Sequence, residues 1–332
     1  MTEKLSKRNW FLITLFCFMG GVAWNTENMY FNTFMYNSVY GDATGAAMAG
    51  TMAPSTAVSR MVALSAVAAV ITTFIMGNLS DKLKNRRLFI SVGYIFWGAV
   101  TAMFGFITKE NTALLLQLSD EAKILTATVW MVILMDIVMT FMGSTSNDAA
   151  FQAWVTDVTS AKQRALVETL LSVVGAVSSV AVTGVGTFAQ AGKLSYRAFF
   201  AGLGVIVSIC GVAGLFLLKD PPRTVQKAET GSNYLADLFY GFRPSVVKSN
   251  PRLYLALSAF GLSVVAFQVF FPYLLVYLQY VVLPDNGGVE NLLRPSVIVT
   301  AALVIAGIIA AVALMLKYSG EHKAVFLAPS AV

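Results

Sequence analysis

One carboxyl group lies in the middle of a long apolar segment of the chain. Asp136 is at the centre of residues 125–147, and Thr140, Gly143 and Asn147 follow it at helical spacing, which gives one polar face. A charged side chain at the centre of a membrane helix costs about 2.5–3.5 kcal/mol, so such residues usually serve a function. The pattern predicts an aspartate that lines an aqueous cavity, binds substrate and carries a coupled proton. A hydrogen-bonded structural aspartate is the alternative.

A stripe of amide side chains runs along the first apolar segment. Asn25, Asn28 and Asn32 fall on one face of a helix at about 100° per residue. Such a face is suited to sugar hydroxyls or water, but amides also bond one helix to another, so both interpretations stay open. Glu27 falls on a different face of the same helix, where it is either an interfacial residue or a coupling carboxylate.

Two later apolar segments add further candidates. Glu168 lies near one end of the fifth segment, on a face of serine, threonine and glycine that is typical of close helix packing. Gln268 and Tyr273 lie in the seventh segment among several aromatic residues. Aromatic rings stack on the apolar faces of sugars while an amide bonds their hydroxyls, although rings of this kind also face lipid. We therefore predict Gln268 and Tyr273 as substrate ligands, and Glu168 as a candidate for cation coupling beside Asp136 and Glu27.

The composition identifies the surroundings of these residues. Of the 332 residues, 57% are hydrophobic and only 12% are charged, which is more apolar surface than one soluble core can bury. A chain in lipid must bond its backbone internally, and apolar runs of about 20 residues favour helices over the strands of about 10 residues found in barrels. We predict an all-α membrane protein with eight spans, near 10–36, 57–77, 88–108, 125–147, 165–190, 198–218, 251–281 and 294–316.

The spans fall into two groups. Residues 1–218 are predicted to form a six-helix transmembrane bundle, and 219–250 a polar linker on the cytoplasmic side. Apolar residues recur at helical intervals over 234–242, which predicts an amphipathic helix within this linker. Residues 251–332 would form a partial second bundle with two complete spans and the start of a third. The last apolar run, 324–332, is too short to cross a bilayer, so we expect the sequence to be C-terminally truncated.

The basic residues predict the orientation. If the N-terminus is cytoplasmic, 17 of the 23 lysines and arginines lie in cytoplasmic segments and 6 lie on the other side. This asymmetry follows the positive-inside rule and predicts a multi-pass protein of the inner or plasma membrane with a cytoplasmic N-terminus.

The segment between the second and third spans carries a recognisable motif. Gly77 is followed four residues later by Asp81, then by Lys82 and the basic pair Arg86 and Arg87. This segment resembles the loop signature of the major facilitator superfamily. The resemblance implies a helical bundle with a six-helix N-terminal half, here with an incomplete C-terminal half, in which these residues form a conformational latch. A carboxylate can bond guanidinium groups or helix N-termini in one conformation and release them in another. A loop that only fixes topology is the alternative.

Two other segments resemble a narrower group. Residues 93–98 (GYIFWG) and 150–159 (AFQAWVTDVT), followed by Arg164, are similar to segments of the glycoside-pentoside-hexuronide cation symporters and their sucrose-type relatives. The resemblance implies a sugar or glycoside substrate, coupling to H⁺ or Na⁺, and places Asp157 and Arg164 with the latch. Melibiose-type carriers hold their cation with aspartates in the second span, whereas residues 60–76 contain no carboxylate, so we favour H⁺.

Several functions lack their sequence signals. The chain has no GxxxxGK[ST] loop, no HExxH and only two cysteines, so we predict no ATP site, catalytic residue, cofactor or metal. The net charge of +6 is spread over short loops and needs no nucleic-acid partner. The sequence predicts a secondary active transporter whose partners are the bilayer, a small molecule and a cation. A proton-coupled drug antiporter of the same fold is one alternative, and a membrane-embedded enzyme such as a lipid-linked glycosyl transferase is the other.

Overall fold

The computed structural model describes residues 5–220 except 42, 44, 49, 84, 161 and 162, then 243–284, 288–299 and the positions 302, 303, 306, 307 and 310. Over these residues the chain forms helices and turns, without strands, so the predicted all-α bundle is confirmed. The long helices are α1 (Lys7–Asn25), α2 (Pro54–Leu83), α3 (Arg86–Phe104), α4 (Glu121–Gly143), α5 (Arg164–Gln190), α6 (Tyr196–Leu217) and α7 (Pro251–Phe270). We call the end of the bundle where α1 begins the proximal end, and the opposite end the distal end.

Side chains with hydrogen-bond acceptors set the starts of several helices. Ser6 accepts from the backbone N–H of Asn9 at the start of α1, and Asn85 accepts from Leu88 at the start of α3, both at 3.2 Å. Asp120 and Ser195 cap α4 and α6 in the same way. These caps satisfy backbone N–H groups that have no partner within their own helix, so polar residues between the apolar runs fix where helices begin.

The apolar spans agree with the hydropathy prediction over most of the described chain. Six helices are long and apolar enough to cross a membrane in this part of the chain: Pro54–Ser80, Arg86–Phe104, Glu121–Val158, Arg164–Gln190, Tyr196–Leu217 and Pro251–Val282. The predicted first span is helical from residue 7 to residue 39, but its polar stripe leaves it outside that set. The predicted amphipathic helix over 234–242, and most of the predicted eighth span, lie outside the described residues.

The segment that carries the latch motif is not a loop. Helix α2 continues through Gly77, Asp81 and Lys82 to Leu83, and α3 begins at Arg86. The connection is therefore only two residues long. The polar residues of the motif suggested a loop, but they are compatible with helix, and the single cap at Asn85 determines where the next helix starts.

Helices α3 and α6 are packed with their backbones in contact. A side chain added at Gly98 would meet the Gly204 carbonyl, and one added at Gly204 would meet the Gly98 carbonyl and Ala102. Ser208 also donates a hydrogen bond across this interface to the Ile95 carbonyl, at 2.9 Å. Small residues allow this approach, which is how helices gain contact energy in lipid, where the surrounding tails are equally apolar.

Among the described residues, π-helical turns follow α1 and α4, and a further one, Leu278–Val282, lies beyond α7. Helix α1 continues as a π-segment over Thr26–Phe31, a short turn over Asn32–Phe34 and a second π-segment over Met35–Val39. Helix α4 continues as a π-segment over Ser144–Phe151 and then as an α-helix to Val158. A π-turn bonds to the fifth residue rather than the fourth and so rotates the side chains out of α-helical register, and such turns are frequent at functional sites.

Helix α7 packs against the first six helices only toward the distal end. None of its residues from Pro251 to Phe270 is buried. Proline has no backbone N–H, and at Pro272 the helix changes to a 3₁₀ turn over Phe271–Tyr273, where burial begins. The chain continues helically through Leu274–Tyr277 and Leu278–Val282, and we count residues 271–282 as the distal end of α7. Within the described part of the chain, the first six helices therefore close against α7 at the distal end.

Candidate functional site

A cavity of about 150 Å³ lies between α1, α2, α4 and α7, and we call it the central cavity. Its polar lining comes mainly from α4, from the π-segment and short turn that follow α1, and from one amide of α7, while α2 supplies mainly small and apolar residues. The described residues that line it are Trp24, Glu27, Asn28, Asn32, Met61, Val62, Ser65, Ala66, Ala69, Asp136, Thr140 and Gln268.

Asp136 is the deepest acidic residue of the central cavity, with 2% of its surface exposed. Ser65 of α2 donates a hydrogen bond to its Oδ2, and Oδ1 has no hydrogen-bond partner among the described residues. Sequence reasoning did not single out Ser65, because a lone serine in an apolar helix carries no periodic signal. The aspartate thus has one oxygen fixed and one available to a ligand.

Glu27 contributes a second carboxyl group to the same cavity. Thr140, one turn after Asp136 on α4, donates a hydrogen bond to Glu27 Oε1 at 2.9 Å, and Oε2 has no partner among the described residues. The prediction that Glu27 faces away from the asparagine stripe is wrong. It assumed 100° per residue, whereas the π-segment that begins at Thr26 rotates Glu27 into line with Asn28 and Asn32.

The three asparagines have different surroundings. Asn28 lines the cavity and donates to the Trp24 carbonyl of its own helix at 2.8 Å. Asn32 lines the cavity and also reaches α7. Asn25 faces α5 instead: its amide donates to the Gly21 carbonyl at 2.6 Å and to Ser178 Oγ at 3.4 Å. Asn25 is therefore outside the cavity lining, and the helix-packing alternative describes it.

The remaining predicted ligands are also divided. Gln268 lines the cavity from α7, while the Tyr273 hydroxyl lies beyond it, 2.7 Å from Ser59 Oγ and 3.2 Å from the Ser55 carbonyl. Glu168 is exposed in the first turns of α5 and is not among the residues that line the cavity. The structure thus brings Glu27, Asn28, Asn32, Asp136 and Gln268 together, and places Asn25, Tyr273 and Glu168 elsewhere.

Asp148 is a half-buried acidic residue that sequence reasoning missed. It accepts hydrogen bonds from Ser144 Oγ at 3.1 Å and from Asn147 Nδ2 at 3.4 Å, and Tyr94 contacts Asn147 Oδ1 at 2.9 Å. The spacing of Asp136, Thr140, Ser144 and Asp148 is four residues throughout. That regular spacing was the available signal, and it leads from the central cavity toward the proximal end along one side of α4.

The residues of the predicted latch form contacts at the proximal end. Arg86 Nε lies 2.9 Å from Asp157 Oδ2, which joins the start of α3 to the segment after α4. The backbone N–H of Arg87 donates to Asp220 at 3.1 Å, and its side chain to the Leu215 carbonyl. Arg164 is exposed at the start of α5. These contacts all lie among the first six helices.

The described residues contain no group of three histidine, cysteine or acidic side chains arranged to hold a metal ion. Their chemistry is instead that of a polar cavity enclosed by apolar, membrane-length helices, which defines the class of polytopic membrane transporters. A family model described as Major Facilitator Superfamily matches residues 29–330. The chain belongs to this superfamily, whose members are membrane transporters rather than enzymes. No curated protein and no solved structure matches the chain.

Proposed function

We propose that the protein is a secondary active transporter that couples the movement of H⁺ to the uptake of a sugar or glycoside by alternating access. The observation that carries this proposal is one cavity that holds two buried carboxyl groups, Glu27 and Asp136, together with the amides Asn28, Asn32 and Gln268. Each carboxyl group has one oxygen without a hydrogen-bond partner among the described residues. The excess of basic residues at the proximal end supports a cytoplasmic N-terminus in a cell membrane.

The electrostatics of the cavity support cation coupling. No lysine, arginine or histidine is among the described residues that line it, so negative charge on Asp136 or Glu27 has no fixed counter-charge there. Buried charge without a partner is strongly unfavourable, and a bound proton or cation supplies the compensation. Because Thr140 bonds Glu27 and lies one turn from Asp136, the two carboxyl groups are held in one polar cluster and respond to the same ligand.

The amides support a substrate rich in hydroxyl groups. A primary amide carries both N–H donors and a carbonyl acceptor, the same two kinds of hydrogen-bonding capacity that a hydroxyl group has. Trp24 adds an aromatic ring to the lining, and rings of this type pack on the apolar faces of sugars. The combination favours a neutral polyhydroxylated ligand over an anion, for which a cationic side chain would be expected.

Gradient-driven uptake tests this proposal. The purified protein is placed in proteoliposomes, and uptake of labelled sucrose and melibiose is measured under an imposed pH gradient, an imposed Na⁺ gradient or neither. We expect accumulation above equilibrium only with the pH gradient. Accumulation driven by the Na⁺ gradient would show that the coupling ion is Na⁺ and not H⁺. Export of ethidium without any sugar uptake would favour the drug-antiporter alternative.

A further inference from the structure

The distal end of α7 is joined to the first two helices by uncharged groups. Asn37 and Gln279 exchange amide hydrogen bonds at 3.2 and 3.3 Å, and Tyr280 donates to Asn37 at 2.8 Å. Tyr273 bonds α2 through Ser59 and the Ser55 carbonyl. Asn32 also donates a hydrogen bond to the Pro272 carbonyl. We call these bonds together the distal contact.

Asn32 belongs to both the distal contact and the central cavity. Its Nδ2 donates to the Asn28 carbonyl at 2.7 Å and to the Pro272 carbonyl at 2.9 Å, while its Oδ1 has no partner among the described residues. A primary amide has only two N–H donors, so both are in use. A ligand that accepts a hydrogen bond from this amide must therefore displace one of the two carbonyls.

Losing the hydrogen bond to one carbonyl would have a different consequence from losing the bond to the other. The Asn28 carbonyl belongs to the same continuous helix as Asn32, four residues earlier, so its position relative to Asn32 is fixed by that helix. The Pro272 carbonyl belongs to α7, at the point where the helix changes to a 3₁₀ turn. Loss of the second bond is the change that releases another helix.

We propose that Asn32 couples occupancy of the central cavity to opening of the distal contact. A ligand acceptor that replaces the Pro272 carbonyl as the partner of Asn32 Nδ2 removes one hydrogen bond that holds α7 to α1, and so shifts the equilibrium toward a distally open state. Ligand binding and opening then favour each other, since each lowers the cost of the other. This inference rests on the proposed transport function and names the residue that links binding to the conformational change.

The distal contact is where α7 meets α1 and α2 most closely. None of Pro251–Phe270 is buried against the described part of the chain. The distal contact consists of neutral hydrogen bonds, each with a modest net effect. Loss of the Asn32 bond alone should therefore change the open-to-closed ratio by about three- to tenfold.

Distance measurements between spin labels test the link. Labels are placed at the exposed positions Lys193, after α5, and Val281, at the distal end of α7, by cysteine substitution in a chain whose Cys17 and Cys210 are replaced by alanine. Double electron–electron resonance in lipid nanodiscs then reports the separation of these two positions.

Substitutions at Asn32 and at Asn28 distinguish the residue that bonds α7 from its neighbour in the cavity. Asn32→Leu keeps the branched shape of the side chain but removes both donors, and we expect a longer label distance without any ligand. Asn28→Leu is the matched control and should leave the distance unchanged, because Asn28 lines the same cavity and, among the described residues, its side chain bonds only its own helix. Asn32→Ser, whose hydroxyl is too short to reach Pro272, replaces Asn32→Leu if that variant fails to fold.

The outcomes distinguish this inference from the proposed substrate. An unchanged distance in a folded Asn32 variant overturns the link, as does equal lengthening in Asn28→Leu. Sucrose or melibiose, if either raises the melting temperature, should lengthen the parent distance and leave the Asn32 variant unaffected. If a binding sugar leaves the parent distance unchanged, the link is wrong. If neither sugar binds but the Asn32 variant still lengthens the distance, the substrate proposal fails and the distal release by Asn32 stands.

Discussion

The α3–α6 interface and the central cavity use polar and small residues in opposite ways. At the interface, Gly98 and Gly204 bring two backbones into contact, and the Ser208 hydroxyl donates a hydrogen bond to a carbonyl of the facing helix. In the cavity, Asp136 and Glu27 are buried, yet each keeps one oxygen without a partner among the described residues. Buried polar atoms are nearly always satisfied within a folded protein, so the exceptions identify positions reserved for a ligand or an ion. The comparison predicts that substitutions at the interface affect stability and substitutions in the cavity affect transport.

The largest expected effect on transport comes from Asp136→Asn. The amide has the size of the carboxyl and can still bond Ser65, so the fold should be retained, but it cannot release a proton. Uphill sugar accumulation in proteoliposomes should fall to background, while exchange of labelled for unlabelled sugar continues because exchange needs no net proton movement. Accumulation that survives with the same pH dependence would exclude Asp136 as the carrier. Glu27 and then Glu168 would be tested next.

The converse substitution is Gly204→Ala in the interface. A side chain at this position would meet the Gly98 carbonyl, and overpacking of this kind costs about 1–3 kcal/mol. Gly202→Ala, on the same helix with open space around it, is the matched control and should be neutral or stabilising by about 0.5–1 kcal/mol. Thermal unfolding in detergent measures both. Equal melting temperatures for the two variants would contradict the close approach of α3 and α6.

The ion pair between Arg86 and Asp157 should show an effect of intermediate size. Arg86→Met removes the partner of Asp157 at the proximal end, and hydrogen bonds to charged groups contribute about 1.5–3 kcal/mol. We expect a lower melting temperature for Arg86→Met, and little change for Arg60→Met, because Arg60 is exposed on α2. If Arg86→Met abolished transport without lowering stability, the ion pair would have a conformational role like that implied by the superfamily resemblance.

The smallest effect is expected outside both regions, at Glu110 in the short distal helix Lys109–Leu116. A hydrogen bond from its own backbone N–H, and another from Thr108, lower the pKa of Glu110 below its usual 4.5. A lowered pKa means that the group stabilises the fold when ionised, and that this contribution disappears as the pH falls through the lowered value. Glu110→Gln should therefore melt slightly earlier at neutral pH and together with the parent in acid. A difference that persists in acid would show that charge is not its cause.

Local sequence patterns determined the helices of this protein and most of their limits. The apolar runs had to become helices because lipid offers the backbone no hydrogen bonds, and capping residues such as Asn85 and Asp120 fixed several starts. Asp136 could be found from sequence for the same reason, since one carboxyl group in an apolar helix is unfavourable unless it faces other polar groups. The sequence shows that α3 and α6 contain glycines, but it does not show that these glycines face each other.

Only the tertiary structure decided how the polar residues are grouped. Whether Glu27 joins Asn28 and Asn32 depends on a π-turn, which breaks the constant rotation per residue that a sequence-based projection assumes. Asn25 and Asn32 are the same residue type on one helix, yet one bonds α5 and the other α7. The sequence specifies how unfavourable it is to bury each polar group in lipid, whereas the group that compensates it lies tens or hundreds of residues away and is chosen by helix packing.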